Sequence, residues 1–168
     1  MGTTSPDQIK VKIQSWLMEE GFQIEQVDDP TADFHLTADL SNLIGYDIIK
    51  PKNKPDMIAV AVGLKLDNNQ ITRLKELPEE EREEFLWGVK FDLILAGYAF
   101  QFQPTNRMNY VEHVLITQSL WFDGTTKNSF MLTLEKVSNG RQFAAWKMGR
   151  ELGFPNEPKG HLSSGSSG

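Results

Sequence analysis

The sequence has no cysteine. This excludes disulfides, thiolate nucleophiles, iron–sulfur clusters and cysteine-ligated zinc. Histidine is scarce, with three in 168 residues. Basic residues are outnumbered, 17 against 23 acidic, for a net charge of −6. That balance argues against a general nucleic-acid binder and against an anionic membrane surface. Glycine-rich phosphate loops are missing, and no Gly-x-Ser-x-Gly elbow occurs outside the Ser/Gly tail. Long apolar runs are missing too. The longest, Phe85 to Tyr98, is interrupted by Lys90 and Asp92 and falls short of the ~20 residues of a membrane span. The polar start, Met1 to Pro6, shows no signal-peptide pattern, and a cytoplasmic protein is expected.

What is present is regular periodicity. Ser5-Pro6-Asp7-Gln8 is a helix start with a capping box, and Ile9, Ile13, Trp16 and Leu17 make one apolar stripe up to Gly21. Strands follow near Phe22–Asp28 and Phe34–Leu40, with an extended piece at Tyr46–Lys50. Met57–Leu66 is apolar on alternate and intervening positions alike, so it is expected to be central and covered on both sides. Asp67 caps a short helix, and Pro78 with Glu79, Glu80 and Glu81 opens a second that stops at Gly97. Ala99–Gln103 and Tyr110–Ser119 read as strands. Thr125 or Thr126 caps a terminal helix, expected to kink or break at Asn139-Gly140. The class is α+β: an antiparallel sheet of about five strands with helices on it, in the order α-β-β-β-α-β-β-α. Met1–Pro155 is expected to form one domain, and Asn156–Gly168 a disordered cloning remnant of linker composition.

The polar candidates for chemistry are few. Asp33, His35 and Asp39 share one face of a strand, but its rise spreads the outer two roughly 20 Å apart, too far for one ion. No metal and no cofactor are expected. Asp28, Asp29 and Asp33 surround Pro30 in a turn that reads as Asp bonding its own backbone rather than a calcium loop. Lys50, Lys52 and Lys54 form the one basic cluster and read as a solvated hairpin turn beside a sheet edge. No nucleic acid and no membrane are expected as partners. Trp16, Trp87, Trp121 and Trp146 read by default as core.

The Phe85–Tyr98 helix is apolar over most of its circumference, beyond what one sheet hides. Its second cover is either the terminal helix or another subunit. Trp87, Phe91, Ile94, Leu95 and Tyr98 are therefore the candidate protein interface, with a homodimer as the expected assembly.

The run Ile13–Phe22, the Asp29-Pro30 and Phe34-His35 segment, the Lys50–Asp56 turn and the Trp87 helix resemble a mainly archaeal family known only as a domain of unknown function. The likeness spans about Gln8 to Leu152. The element order is also similar to the type III secretion chaperone-like fold. The resemblance implies a scaffold that dimerises and binds extended peptide on sheet edges or helix grooves, and it implies no enzyme. A non-enzymatic protein- or peptide-binding adaptor is the leading expectation. The alternative is a small-molecule binding protein or enzyme with a pocket near His35 or His113, with Asp33, Arg107 and Glu112 as the other groups to check.

Overall fold

A computed structural model describes residues 4–41 and 44–155. Met1, Gly2 and the Ser/Gly tail lie outside the described residues, as do His161, Asn42 and Leu43. The element order is α1 (Pro6–Glu19), β1 (Gln23–Gln26), β2 (Ala32–Leu40), β3 (Ile44–Pro51), β4 (Met57–Lys65), α2 (Asn68–Glu76), α3 (Glu79–Leu95), β5 (Ala99–Gln103), β6 (His113–Trp121), a 3-10 turn (Phe122–Gly124) and α4 (Lys127–Leu152). The class is α+β, as the patterning indicated. The sheet has six strands, because the extended Tyr46–Lys50 piece is a full strand.

Local signals explain the helix ends. Ser5 accepts from the Gln8 backbone, and the Gln8 side chain accepts in return from the Ser5 backbone. Asp67 with Gln70 and Thr126 with Ser129 repeat the device at α2 and α4. Each reciprocal cap satisfies two amide donors that a helix start leaves orphaned. At the end of α3, Gly97 takes φ 83°, a left-handed conformation that a side chain would strain.

All neighbouring strands are antiparallel, in the order β1-β2-β3-β4-β6-β5. After β4 the chain crosses through α2 and α3 to the outer strand β5, and β6 returns between them. Register divides the sheet into two unlike faces. One cross-strand row reads Ala38, Tyr46, Val62, Ile116, Phe100. The adjacent row, facing the other way, reads Thr37, Asp47, Ala61, Thr117, Ala99. The first face joins one core with Ile9, Ile13 and Leu17 of α1, Leu74 of α2, Leu86, Val89 and Leu93 of α3, and Phe130, Val137 and Met148 of α4. Each such fully buried side chain contributes about 1.5–3 kcal/mol.

Four expectations are corrected here. Strand β4 is central, but helices cover only one of its faces; Ala59, Ala61 and Gly63 point the other way. Small side chains suit an antiparallel sheet with one wet face, so its doubly apolar pattern does not require two covers. Helix α4 runs unbroken through Gly140. A β-carbon there would lie 2.8 Å from Tyr98 and 2.9 Å from Ile116, so the glycine serves close packing on the sheet rather than a kink. The lysine turn joins two inner strands, not an edge, and Lys50 points into the protein, 1% exposed. Trp121 and Trp146 are more than half exposed, so neither is core. Among the described residues no helix is long and apolar enough to cross a membrane.

Candidate functional site

Helix α3 carries two apolar stripes. Leu86, Val89 and Leu93 lie on one side and are buried. Trp87, Phe91 and Ile94, at spacings of four and seven, lie on the opposite side with Leu95 beside them. Phe91, Ile94 and Leu95 are 55%, 60% and 84% exposed. Trp87 is half-buried because Phe91 stacks on it at 5.7 Å and the Lys90 ammonium lies 4.5 Å from its ring centre. The Lys90 stem also brings its charge over Phe102 of β5.

Helix α4 flanks α3 without covering this stripe. Lys147 pairs with Asp92, while Tyr98 sits 6.0 Å from Phe143. Moving up α3 thus moves down α4, so the two helices lie antiparallel. Tyr98 packs against Phe143 and Gly140 and stands apart from the exposed group. Of the five candidate interface residues, the fold brings Trp87, Phe91, Ile94 and Leu95 together on the outside, and it holds Tyr98 against α4.

Most polar candidates gather on β2, β3 and the turns beside them, and Asp29 bonds its own turn as its sequence suggests. His35 is clamped between two carboxylates: its Nδ1 is 3.1 Å from Asp29 Oδ2 and its Nε2 is 2.6 Å from Asp47 Oδ1. Carboxylates only accept, so both contacts are hydrogen bonds when both ring nitrogens carry protons. Asp33 and Asp39 are not its partners. Asp47 stands diagonally across the β2–β3 register, since His35 pairs with Ile49 and Thr37 with Asp47. Asp29 also accepts from the Thr31 hydroxyl at 2.6 Å and the Thr31 backbone at 2.9 Å. The Thr31 bonds, and His35 more weakly, hold the Asp29 carboxyl below its ordinary pKa. Beside this group lies a polar hollow of about 420 Å³ lined by Gln26, Asp28, Asp33 and His35 among others. Among the described residues no three His, Asp or Glu side chains are arranged to hold a metal ion.

The Lys50 ammonium donates to Asp33 Oδ2 at 3.0 Å, the Pro51 carbonyl at 2.8 Å and the Lys54 carbonyl at 2.7 Å. All three of its donors are used, which makes a buried cation tolerable. Lys52 reaches the Pro30 carbonyl. The basic cluster is thus a tie between two turns. His113 faces Lys65 on one side and Gln103 on the other. The Tyr110 hydroxyl donates to Glu112 at 2.7 Å, and that bond, with burial, raises the phenol above its ordinary pKa. Arg107 covers the Tyr110 ring. Tyr110, Glu112 and Arg107 thus form one packing cluster just ahead of β6.

One feature escaped the sequence reading. Phe143, Trp146, Lys147, Arg150 and Phe154 line a small, mainly apolar hollow at the end of α4. Only the helical spacing of Phe143, Trp146 and Arg150 hinted at it.

The family described as "Uncharacterized conserved protein (DUF2299)" matches residues Ile9–Met148. A crystal structure of an uncharacterised protein from Methanothermobacter thermautotrophicus is similar, at 30% identity and TM-score 0.78, over 86% of this chain and 99% of that one. Lower similarity is found to YbjN, a putative transcription regulator from E. coli, at 12% identity and TM-score 0.49, covering 82% and 86% of the two chains. The HopA1-SchA chaperone–effector complex gives 13% identity and TM-score 0.46, covering 80% and 93%. Nothing among curated proteins matches.

Proposed function

The chain belongs to the DUF2299 family, and from that premise we propose that it is a non-enzymatic protein-binding module that pairs with a second copy of itself through α3. The observation that carries this reading is the outward stripe of Phe91, Ile94 and Leu95, three large apolar side chains together in water. A stripe on one helix is self-complementary across a two-fold axis, where the same patch serves both subunits. Charge selects the antiparallel arrangement. A parallel pair would set the two acidic starts, Glu79 to Glu84, against each other. An antiparallel pair centred on Phe91 to Leu95 carries the two acidic starts to opposite ends, away from each other, and opposes the helix dipoles favourably. The occupied nitrogens of His35 and the packing of Glu112 and Arg107 on Tyr110 fit a structural use of the polar groups.

Light scattering tests the reading. At tens of micromolar, a mass of twice 19.1 kDa is expected. The double variant Phe91→Glu, Leu95→Glu should give a monomer with an unchanged circular dichroism spectrum, since exposed substitutions cost within ~0.5 kcal/mol. A monomeric wild type defeats the proposal. A second reading, small-molecule binding, is favoured by the hollow beside His35 with two carboxylates in reach. There a screen of small ligands should move the His35 ring resonances; a screen that moves none of them removes that reading.

A further inference from the structure

We propose that the hollow at the end of α4 takes one large apolar side chain of an acidic peptide segment, with Arg150 receiving a flanking carboxylate. This rests on the protein-binding reading and assigns a second contact, apart from the α3 stripe.

The hollow is a built feature. Helix α4 ends at Gly153, which turns the chain with φ 86°. Two side chains of α2 hold that turn: Gln70 donates to the Gly153 carbonyl at 2.8 Å, and Arg73 donates to the Leu152 carbonyl at 3.0 Å. The turn folds Phe154 back onto α4 at Gly149. A β-carbon on Gly149 would lie 2.4 Å from the Phe154 ring, so only glycine lets the ring lie there. Phe154 and Trp146 form the open walls, at 61% and 59% exposed, and Phe143 lies between the helices.

The space measures about 290 Å³. Pockets that swallow drug-sized ligands and cofactors begin near ~300 Å³ and run to ~1,000 Å³. This one is at the floor of that range and fits a single side chain rather than a cofactor. Its apolar lining sets the chemistry of that side chain: aromatic or large aliphatic.

Charge sets the chemistry of the flank. The molecule carries −6 overall, yet both charged groups on the rim are cations. Lys147 is occupied by Asp92. The exposed Arg150 makes no side-chain ion pair among the described residues. A guanidinium beside an aromatic wall suits a carboxylate bound in a two-pronged fashion. A basic segment would meet two cations on the rim, and a neutral one would forgo the pair with Arg150.

The test uses the full chain and NMR of the Trp146 indole, identified by its loss in Trp146→Phe. The probes are blocked heptapeptides: a central Phe flanked by Asp and Glu, the same with a central Ala, and the same Phe flanked by Lys. The acidic Phe peptide should shift Trp146 saturably. Arg150→Glu should weaken it tenfold or more and gain binding of the lysine-flanked peptide. Gly149→Ala, which displaces Phe154 while favouring the helix, should also abolish binding with Arg150 intact. Equal binding by the Ala-centred peptide, indifference to Arg150→Glu, or no shift of Trp146 by any peptide would each overturn the proposal. Repeating the titration on the Phe91→Glu, Leu95→Glu variant separates the two claims. Binding that survives there leaves the α4 site standing whether or not α3 mediates pairing.

Discussion

The same chemical change, glycine to alanine inside a helix, should have opposite effects at two places in this protein. At Gly88 in α3 an added β-carbon meets nothing within 4 Å. Gly88→Ala should then gain most of the intrinsic helix preference, about 0.5–1 kcal/mol. At Gly140 in α4 the added carbon would lie 2.8 Å from Tyr98 Cδ1, 3.1 Å from Tyr98 Cγ and 2.9 Å from Ile116 Cγ2. Carbon atoms rest at about 3.5–4.0 Å, so the overlap is roughly 0.6–1 Å on two sides at once. Neither neighbour yields easily. Ile116 is 1% exposed in an inner strand, and Tyr98 is backed by Phe143. Helix α4 has to lift off the sheet. Overpacking of this kind costs about 1–3 kcal/mol, and two stiff neighbours place it in the upper half. Less the helix preference, the net loss is about 1–2.5 kcal/mol. At about 2–4 °C per kcal/mol for a chain of this size, Gly140→Ala should melt roughly 2–10 °C lower. Gly88→Ala should melt up to ~4 °C higher. Urea unfolding followed at 222 nm, with equal slopes required of all three proteins, checks both signs. A Gly140→Ala protein as stable as wild type would refute the close approach of α4 to β6. Loss of stability in Gly88→Ala would refute the open space around α3.

Other expectations follow from the same geometry. Lys50→Met keeps the volume but strands the Pro51 and Lys54 carbonyls and the Asp33 carboxylate; because Asp33 is partly open to water, the loss should be about 1–3 kcal/mol, while Lys52→Met should be near neutral. A lysine-to-methionine series that destabilises both positions equally would contradict the tie. Lys127 bridges Glu19 and Glu20 across the α1–α4 contact. Its hydrogen bond lowers the Glu19 pKa from 4.5 and raises that of Lys127 from 10.5. The depressed carboxylate contributes stability above about pH 4.5, lost as pH falls; the raised ammonium contributes below about pH 10.5, lost as pH rises. The urea-midpoint difference between wild type and Lys127→Met should therefore be flat from pH 6 to 9 and shrink at both extremes. A difference that grows on acidification contradicts the pairing.

Local chemistry made much of this fold legible. The capping box at Ser5, the cap at Asp67 and the cap at Thr125 or Thr126 are contacts within four residues, so they are written in adjacent letters. The alternation of Phe34, Leu36 and Ala38 was visible for the same reason, since side chains two apart share a face whatever the strand pairs with. The doubled apolar stripe of α3 was equally plain, because helical angle depends on position along the chain alone.

Long-range contacts were not legible in this way. Asp47 reaches His35 only through the register of β2 on β3, and Lys50 turns inward because two separate turns offer it three acceptors. Gly140 read as a helix breaker because a missing side chain looks alike whether it loosens a helix or makes room for Tyr98 and Ile116. The hollow beside Trp146 needs Gly149, Gly153 and the α2 clamp together, and Gln70 and Arg73 reach those glycines only by folding. The sequence by itself determined most elements, the helix caps and the apolar excess of α3, since these obey rules of a few residues' range. Tertiary structure alone decided that the excess is left uncovered within the chain, because α4 packs along the Asp92 and Tyr98 side of α3 and leaves Phe91, Ile94 and Leu95 outside.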